Sequence, residues 1–415
     1  MPASLYTPAE LLLVELCKRA TPAPGKVVGM VPPGDEGLLL DLTALSIQHS
    51  VQGLVFSRLE TLQAASIVFI EYRSRIRSAL TLLRRQAGLW DLEQDRVLAG
   101  LGKAGFQPLV LKGGALRRWA FQSVVERTVG DLDLLVRPDE VREVLETLRD
   151  LGYESRHSEV AREGFREHLY HDRVTHANGF CVEVHWGLTR PGNFIQLDPL
   201  LFQDRAGILH RPGSPDLRVP SPEDMILHTV SQSEQDGVRR LRRLVDLDRI
   251  AASRELDWVY VHHQAREAGL HGLLCVTLRL CNLLLGTPAP KDLLGGESLT
   301  PLTRRGIAIM RPVRRLLRKP KRGGVSDYYL FRLWCQPSWQ ERSRWFRDQA
   351  FGETDPLGWV WAGEEEPESH GGGPSHGILL VMKLLAYQIL VFGCSLGVGL
   401  RRGGIRALRF WERSP

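Results

Sequence analysis

Apolar and polar positions divide the chain into helical flanks and a central stretch of mixed character. Residues 8–20, 38–60 and 66–104 repeat apolar side chains at helical spacing, for example Leu89, Leu92, Leu98 and Leu101, which predicts a helical N-terminal region. The run "TPAPGKVVGMVPPGDEG" interrupts it, because proline and glycine punctuate regular elements. In "FQPLVLKGGALRRWAFQ" an aliphatic run meets Gly113 and Gly114 and then changes to helical spacing, which predicts a strand, a glycine turn and a helix. "VGDLDLLVRP" predicts a second strand, and "GFCVEVHWGL" a third. Between them "RPDEVREVLETLRDLGY" predicts a helix with acids in its first turn and Gly152 at its end. Strands alternating with helices over residues 106–188 predict an α/β unit whose parallel pairings are joined by helical crossovers. From "SPEDMILHTV" helical patterning resumes, with Ser221 as N-cap and Pro222 at the first helical position, and it runs to about residue 285.

The expected fold class is therefore α+β, a small mixed sheet flanked by helices, with helical N-terminal and C-terminal regions. The expected division is a helical subdomain at 1–104, an α/β core at 105–215, a helical domain at 216–361, a linker at 362–377 and a hydrophobic helix with a basic tail at 378–415. The linker segment "AGEEEPESHGGGPSHG" follows a strongly basic stretch at 304–324. Residues 378–400 approach the length of a membrane span, but Lys383 and Gln388 interrupt them. A buried or interfacial helix is favoured there over a span, and peripheral membrane contact stays open.

Composition narrows the classes. With 43% hydrophobic and 25% charged residues the chain is neither disordered nor a polytopic membrane protein. Its net charge of +6, carried mostly by arginine, favours anionic partners such as nucleotide phosphates, nucleic acid or acidic lipid. Cys17, Cys181, Cys275, Cys281, Cys335 and Cys394 lack CxxC spacing, so they read as reduced thiols rather than a zinc cage or a disulfide framework. The N-terminus places an acid before its apolar run and has no basic leading segment, which argues against a secretory signal and for a cytoplasmic setting.

Candidate chemistry sits in the central strands. Asp131 and Asp133 alternate with Leu132 and Leu134, so on an extended strand both carboxylates share a face, with Cα atoms about 6.5–7 Å apart. Unbalanced, they would repel each other, whereas one or two Mg2+ ions would draw them together. Glu183 alternates with Val182 and Val184 in "CVEVHW" and offers a third carboxylate, with His185 on the same face. Gly113 and Gly114, between strand and helix, can present bare N–H groups to phosphate oxygens, and Lys112 and Arg127 can add positive charge. Arg127 could equally pair with Asp131 or Glu126. Asp246 and Asp248 repeat the DxD spacing, but their apolar surroundings have helical period, so they fall on different faces of a surface helix beside Arg239, Arg240, Arg242 and Arg243. His262 and His263 have no partner at ligand spacing.

The ordered set "LVLKGGAL…ERTVGDLDLLV…LGYE…VEVHW" resembles an uncharacterised nucleotidyltransferase family and, more broadly, the polymerase-β-like nucleotidyltransferase superfamily. The resemblance covers about residues 44–250. It implies that Asp131, Asp133 and Glu183 are catalytic metal ligands for two Mg2+ ions, with Gly113 and Gly114 shaping the phosphate turn. It implies a nucleoside triphosphate as substrate and transfer of NMP to an acceptor hydroxyl on a small molecule, a peptide or protein, or an RNA end. The glycine turn departs from the wider superfamily, where it often ends in serine and lies closer to the aspartates. The alternative is a catalytically silent nucleotide-binding or protein-interaction module on the same scaffold. Nucleic-acid binding is not favoured, because the arginines are not interleaved with aromatic side chains.

Overall fold

The computed structural model describes residues 6–31, 36–65, 72–155, 169–189, 195–235, 238, 240–253 and 255–295, together with Gln340. The readings of 304–324, 362–377 and 378–415 therefore lie outside the described residues, as do Cys335 and Cys394. Residues 1–298 belong to one compact unit.

Four helices, α1 (Pro8–Cys17), α2 (Pro24–Val28), α3 (Glu36–Gln48) and α4 (Gln52–Ala65), precede the long α5 (Arg73–Lys103). Helix α1 starts where Thr7 and Glu10 form a reciprocal capping box and Pro8 fills the first turn, satisfying amides that have no partner inside a helix. α2 lies within the proline- and glycine-rich run predicted to be a break. The core face of α5 is Ile76, Leu80, Ala87, Trp90, Val97 and Leu101. Of the leucines whose spacing predicts this helix, Leu101 is buried, whereas Leu89 and Leu92 are 58% and 70% exposed.

The central sheet has five strands in the order β1-β2-β5-β4-β3: β1 (Leu109–Val110), β2 (Leu132–Leu135), β3 (Tyr153–Ser155), β4 (His171–His176) and β5 (Cys181–His185). Only β2 and β5 run parallel, and the other pairings are antiparallel. The sheet is mixed as expected, but its parallel pairing is not closed by a helix alone: from β2 the chain passes through α7 (Val141–Asp150), β3 and β4 before reaching β5. Strand β4 escaped the sequence reading. Its residues "HDRVTH" alternate little, and the strand exists because β3 and β5 satisfy its backbone on both sides.

Helix α6 (Lys112–Trp119) follows β1 and packs on β2, while α7 ends at Gly152, whose φ of +88° favours glycine. After α8 (Pro199–Asp204) and the hairpin β6 (Gly207–Leu209) and β7 (Leu217–Val219) come four helices: α9 (Pro222–Gln235), α10 (Leu241–Ser253), α11 (Trp258–Glu267) and α12 (His271–Leu285). A short α13 (Lys291–Gly295) closes the series. As predicted, Pro222 opens α9 and Ser221 caps it, accepting from the Asp224 amide at 3.2 Å. These helices pack against the N-terminal ones. The Leu241 amide donates to His49 Nδ1 at 3.3 Å, and Arg249 donates to the Cys17 carbonyl at 3.0 Å.

The expectation of a surface helix over the second DxD fails. Leu241 and residues 244–251 of α10 are buried. Its aspartates do face different partners: Asp246 holds Arg127, whereas Asp248 accepts from Arg249 at 2.6 Å and from the Thr287 hydroxyl at 2.6 Å. Cys17, Cys181, Cys275 and Cys281 are buried and not joined in disulfides, and burial pushes the Cys17 thiol up to about 12. Among the described residues no helix is long and apolar enough to cross a membrane.

Candidate active site

Two strands build the site. In the parallel pairing of β2 and β5, Asp133 stands opposite Glu183 and Leu135 opposite His185. Asp133, Glu183 and His185 each offer a ligand atom within 4.8 Å of the others, and among the described residues they form the one cluster of this kind. Asp133 and His185 are each 2% exposed, and Glu183 is half-buried. Asp131 lies one residue before β2 begins, in a bend, and is also half-buried. It stays within electrostatic reach of Asp133, Glu183, Lys112 and Arg242.

Lys112 supplies the counter-charge. Its Nζ donates to Asp133 Oδ1 and lies 3.7 Å from Glu183 Oε2. The backbone aims it there. The Leu111 amide donates to the Asp133 carbonyl at 2.9 Å, and the chain then turns through a left-handed φ of +48° at Lys112 into α6. Such a conformation costs a non-glycine residue about 1–3 kcal/mol and persists where its surroundings fix it.

His185 Nε2 is 3.0 Å from Asp133 Oδ1 and 3.4 Å from Glu183 Oε2. Both carboxylate oxygens can only accept, so the proton belongs on Nε2 and the imidazole orients the acids. His171, opposite His185 in the β4–β5 register, stacks on it with ring centroids 5.0 Å apart.

Charges bias each group. Burial alone would raise the Asp133 carboxyl, but the Lys112 ammonium and the His185 hydrogen bond hold it well below the usual carboxylate range. Glu183 is lowered too: burial opposes ionisation, and His185 and Lys112 outweigh it. Asp131 is raised, first by burial and then by the negative charges of Asp133 and Glu183. His171 is brought down to about 4 by burial and by His185.

The remaining sequence candidates fall as follows. Gly113 and Gly114 sit in the first turn of α6, where amides lack intrahelical partners. A Cβ on Gly113 would meet Val129 Cγ1 at 2.7 Å and the Arg127 guanidinium at 2.9 Å, and one on Gly114 would meet Val110 Cγ1 at 2.9 Å. Close packing therefore accounts for both glycines.

Arg127 is not positioned as a phosphate ligand. Its fork grips Asp246, with Nε to Oδ1 at 2.7 Å and NH2 to Oδ2 at 2.9 Å, and NH1 donates to the Thr128 carbonyl at 2.7 Å. Neither Asp131 nor Glu126 is its partner.

A different arginine is free. Arg242, half-buried in the first turn of α10, makes no hydrogen bond or ion pair among the described residues. Its guanidinium is lowered to about 10, first by neighbouring Arg127 and then by burial, while Asp131 and Asp246 oppose the shift. A cation in that setting favours an arriving anion. The signal in the sequence was the arginine run itself, which the helical pattern assigned to a solvated face.

The donor chemistry fits a hard divalent cation. Asp133 Oδ2, Glu183 Oε1 and both Asp131 oxygens accept no hydrogen bond among the described residues, and oxygen donors of this kind suit Mg2+.

No curated protein and no solved structure matches the chain. A family model described as "Uncharacterised nucleotidyltransferase" matches residues 39–286, which spans the N-terminal helices from α3, the sheet with its carboxylates and α9 to α12. With well over half of its length matched, and with the acidic cluster inside the matched region, the chain belongs to the uncharacterised nucleotidyltransferase family.

Proposed function

We propose that this protein transfers a nucleoside monophosphate from a nucleoside triphosphate to an acceptor hydroxyl and releases pyrophosphate, with Mg2+ held by Asp131, Asp133 and Glu183. The observation that carries this reading is the pairing of Asp133 with Glu183 across adjacent parallel strands, with free carboxylate oxygens and a lysine ammonium beside them. The bond from the acceptor oxygen to the α-phosphorus forms as the bond from that phosphorus to the bridging oxygen breaks, pyrophosphate leaves with the electron pair, and the hydroxyl proton passes to water. When bound, two Mg2+ ions would lower the pKa of the acceptor hydroxyl and balance the charge on the departing pyrophosphate.

The chain's own groups do the rest. His185 locks the orientation of Asp133, which a buried carboxylate would otherwise hold poorly. Lys112 and Arg242 attract the triphosphate, and the first-turn amides of α6 at Gly113 and Gly114 offer it further donors. Arg127 acts at one remove, by tying the segment that leads into Asp131 to α10.

The test is incubation with each α-labelled nucleoside triphosphate, Mg2+ and a cell extract, comparing the native protein with the Asp131→Asn/Asp133→Asn variant and with Glu183→Gln. Label should move to an acceptor only with the native protein. Equal transfer by all three would remove the carboxylates from the chemistry.

A further inference from the structure

The neighbourhood of Lys112 holds more than a phosphate contact. Its ammonium donates to Asp133 Oδ1 and stands 3.7 Å from Glu183 Oε2, so it is placed on two of the three carboxylates assigned above to the metal. Asp131 feels the same charge. Three carboxylates against the Lys112 ammonium and the Arg242 guanidinium leave a formal charge of one negative, which a single divalent ion already exceeds. A second ion then needs negative charge from elsewhere, and the ligand that carries it is the triphosphate.

The backbone gives Lys112 one anchored end and one movable end. The left-handed φ of +48° and the neighbouring Leu111 amide bond to the Asp133 carbonyl fix where its Cα stands. Its four-carbon stem leaves the ammonium able to exchange one anionic partner for another nearby.

We propose that Lys112 couples metal binding to triphosphate binding: its ammonium is the resident counter-ion of Asp133 and Glu183, opposes a divalent ion on the same carboxylates, and passes to the phosphates when the nucleotide enters. The inference rests on the metal-dependent transfer proposed above. Metal alone binds against the ammonium's like charge, and triphosphate removes that opposition. The coupling is reciprocal, so metal in turn strengthens triphosphate binding.

The experiment uses the full-length protein and two probes, Mn2+ followed by electron paramagnetic resonance and inorganic tripolyphosphate followed by calorimetry. Lys112→Met keeps an unbranched stem of four atoms and a non-glycine residue at this φ while removing the charged end, and Lys112→Arg keeps the charge. Without tripolyphosphate, Lys112→Met should bind Mn2+ at least about tenfold more tightly than the native protein, a difference of about 1.4 kcal/mol, and Lys112→Arg should stay near native. With Mn2+ present, Lys112→Met should bind tripolyphosphate at least about tenfold more weakly. Lysine acting only as a structural strut would not move the two affinities in opposite directions.

Unchanged or weaker Mn2+ binding in Lys112→Met, or unchanged tripolyphosphate binding, overturns the inference and leaves the transfer reading standing. Failure of native and variant alike to bind Mn2+ overturns both. Should Lys112→Met not fold, Lys112→Gln takes its place. Independently, tripolyphosphate added to the native protein should tighten Mn2+ binding beyond what Mn2+ binding to tripolyphosphate in solution accounts for, and no such gain overturns the coupling.

Discussion

Replacing Arg127 with methionine separates a structural arginine from a ligand-binding one. Arg127 and Asp246 are 6% and 4% exposed and joined by two hydrogen bonds of 2.7 and 2.9 Å. Arg127→Met leaves the Asp246 carboxylate buried without its partner, and breaking a buried pair in this way costs about 3–5 kcal/mol. Loss of the bond from NH1 to the Thr128 carbonyl adds to the cost, because that carbonyl then needs another donor. For a folded unit of this size each kcal/mol lowers Tm by roughly 2–4 °C, so the variant should melt on the order of 10 °C below the native protein. Asp246→Leu alone should be similarly damaging. The double variant Arg127→Met/Asp246→Leu should recover much of the loss, since removing both charges also removes both desolvation costs. Urea unfolding of the four proteins gives the coupling energy directly. A loss under about 1 kcal/mol for Arg127→Met, with nucleotide binding abolished instead, would refute the argument and return Arg127 to the role the sequence suggested.

Three further outcomes are expected. Gly53→Ala places a Cβ 1.8 Å from the Val125 carbonyl oxygen, a backbone atom that cannot swing aside; it should cost about 3 kcal/mol or more, and a thermal midpoint within 2 °C of native would contradict this. Arg242→Ala should raise KM for the triphosphate roughly 10- to 100-fold, the loss of one charge-assisted contact, with the melting temperature preserved; an unchanged KM removes Arg242 from the site. Stability should fall as pH drops from about 6.5 towards 4. His171 and His271 are lowered to about 4 and His228 lies well below its ordinary value, in each case first by burial, so the unfolded chain takes up protons in that window and the folded one does not. Each contributes at most ~1.4 kcal/mol per pH unit. Urea midpoints at pH 7.5 and 5.0 should differ accordingly, with a smaller difference in His271→Gln, and a flat profile would show that these rings titrate normally in the fold.

The sheet and its acids were legible where side chains alternate cleanly. "LDLLV" and "CVEVH" show an acid framed by aliphatic residues, and the two segments do form neighbouring strands with Asp133 opposite Glu183. β4 was not legible, because its sequence is polar and its strand character comes from neighbours on both sides. The helical spacing of α5 was legible but its buried face was not, since Leu89 and Leu92 lie on the exposed side and blur the phase. Arg127 and Asp246 are 119 residues apart, and buried ion pairs of such separation leave no local periodic mark. That pairing is one of the contacts, beside the buried Leu244, Leu247 and Ile250, that make α10 a core element rather than an arginine-flanked surface helix. Arg242 became distinct from its neighbours only when the structure showed which arginines had partners.

The parallel register of β2 and β5 has a consequence for how the chain reaches its native state. Asp133 and His185 meet across 52 residues, whereas Lys112 reaches Asp133 across only 21. Contacts close in sequence form at lower loop-closure cost and earlier than distant ones. Sequence separation thus predicts that the ammonium pairs with Asp133 before β5 arrives with Glu183, and that it screens a carboxylate which would otherwise repel the incoming strand. On this expectation the lysine that balances the finished site also assists its assembly, and Lys112→Met should slow refolding more than it speeds unfolding.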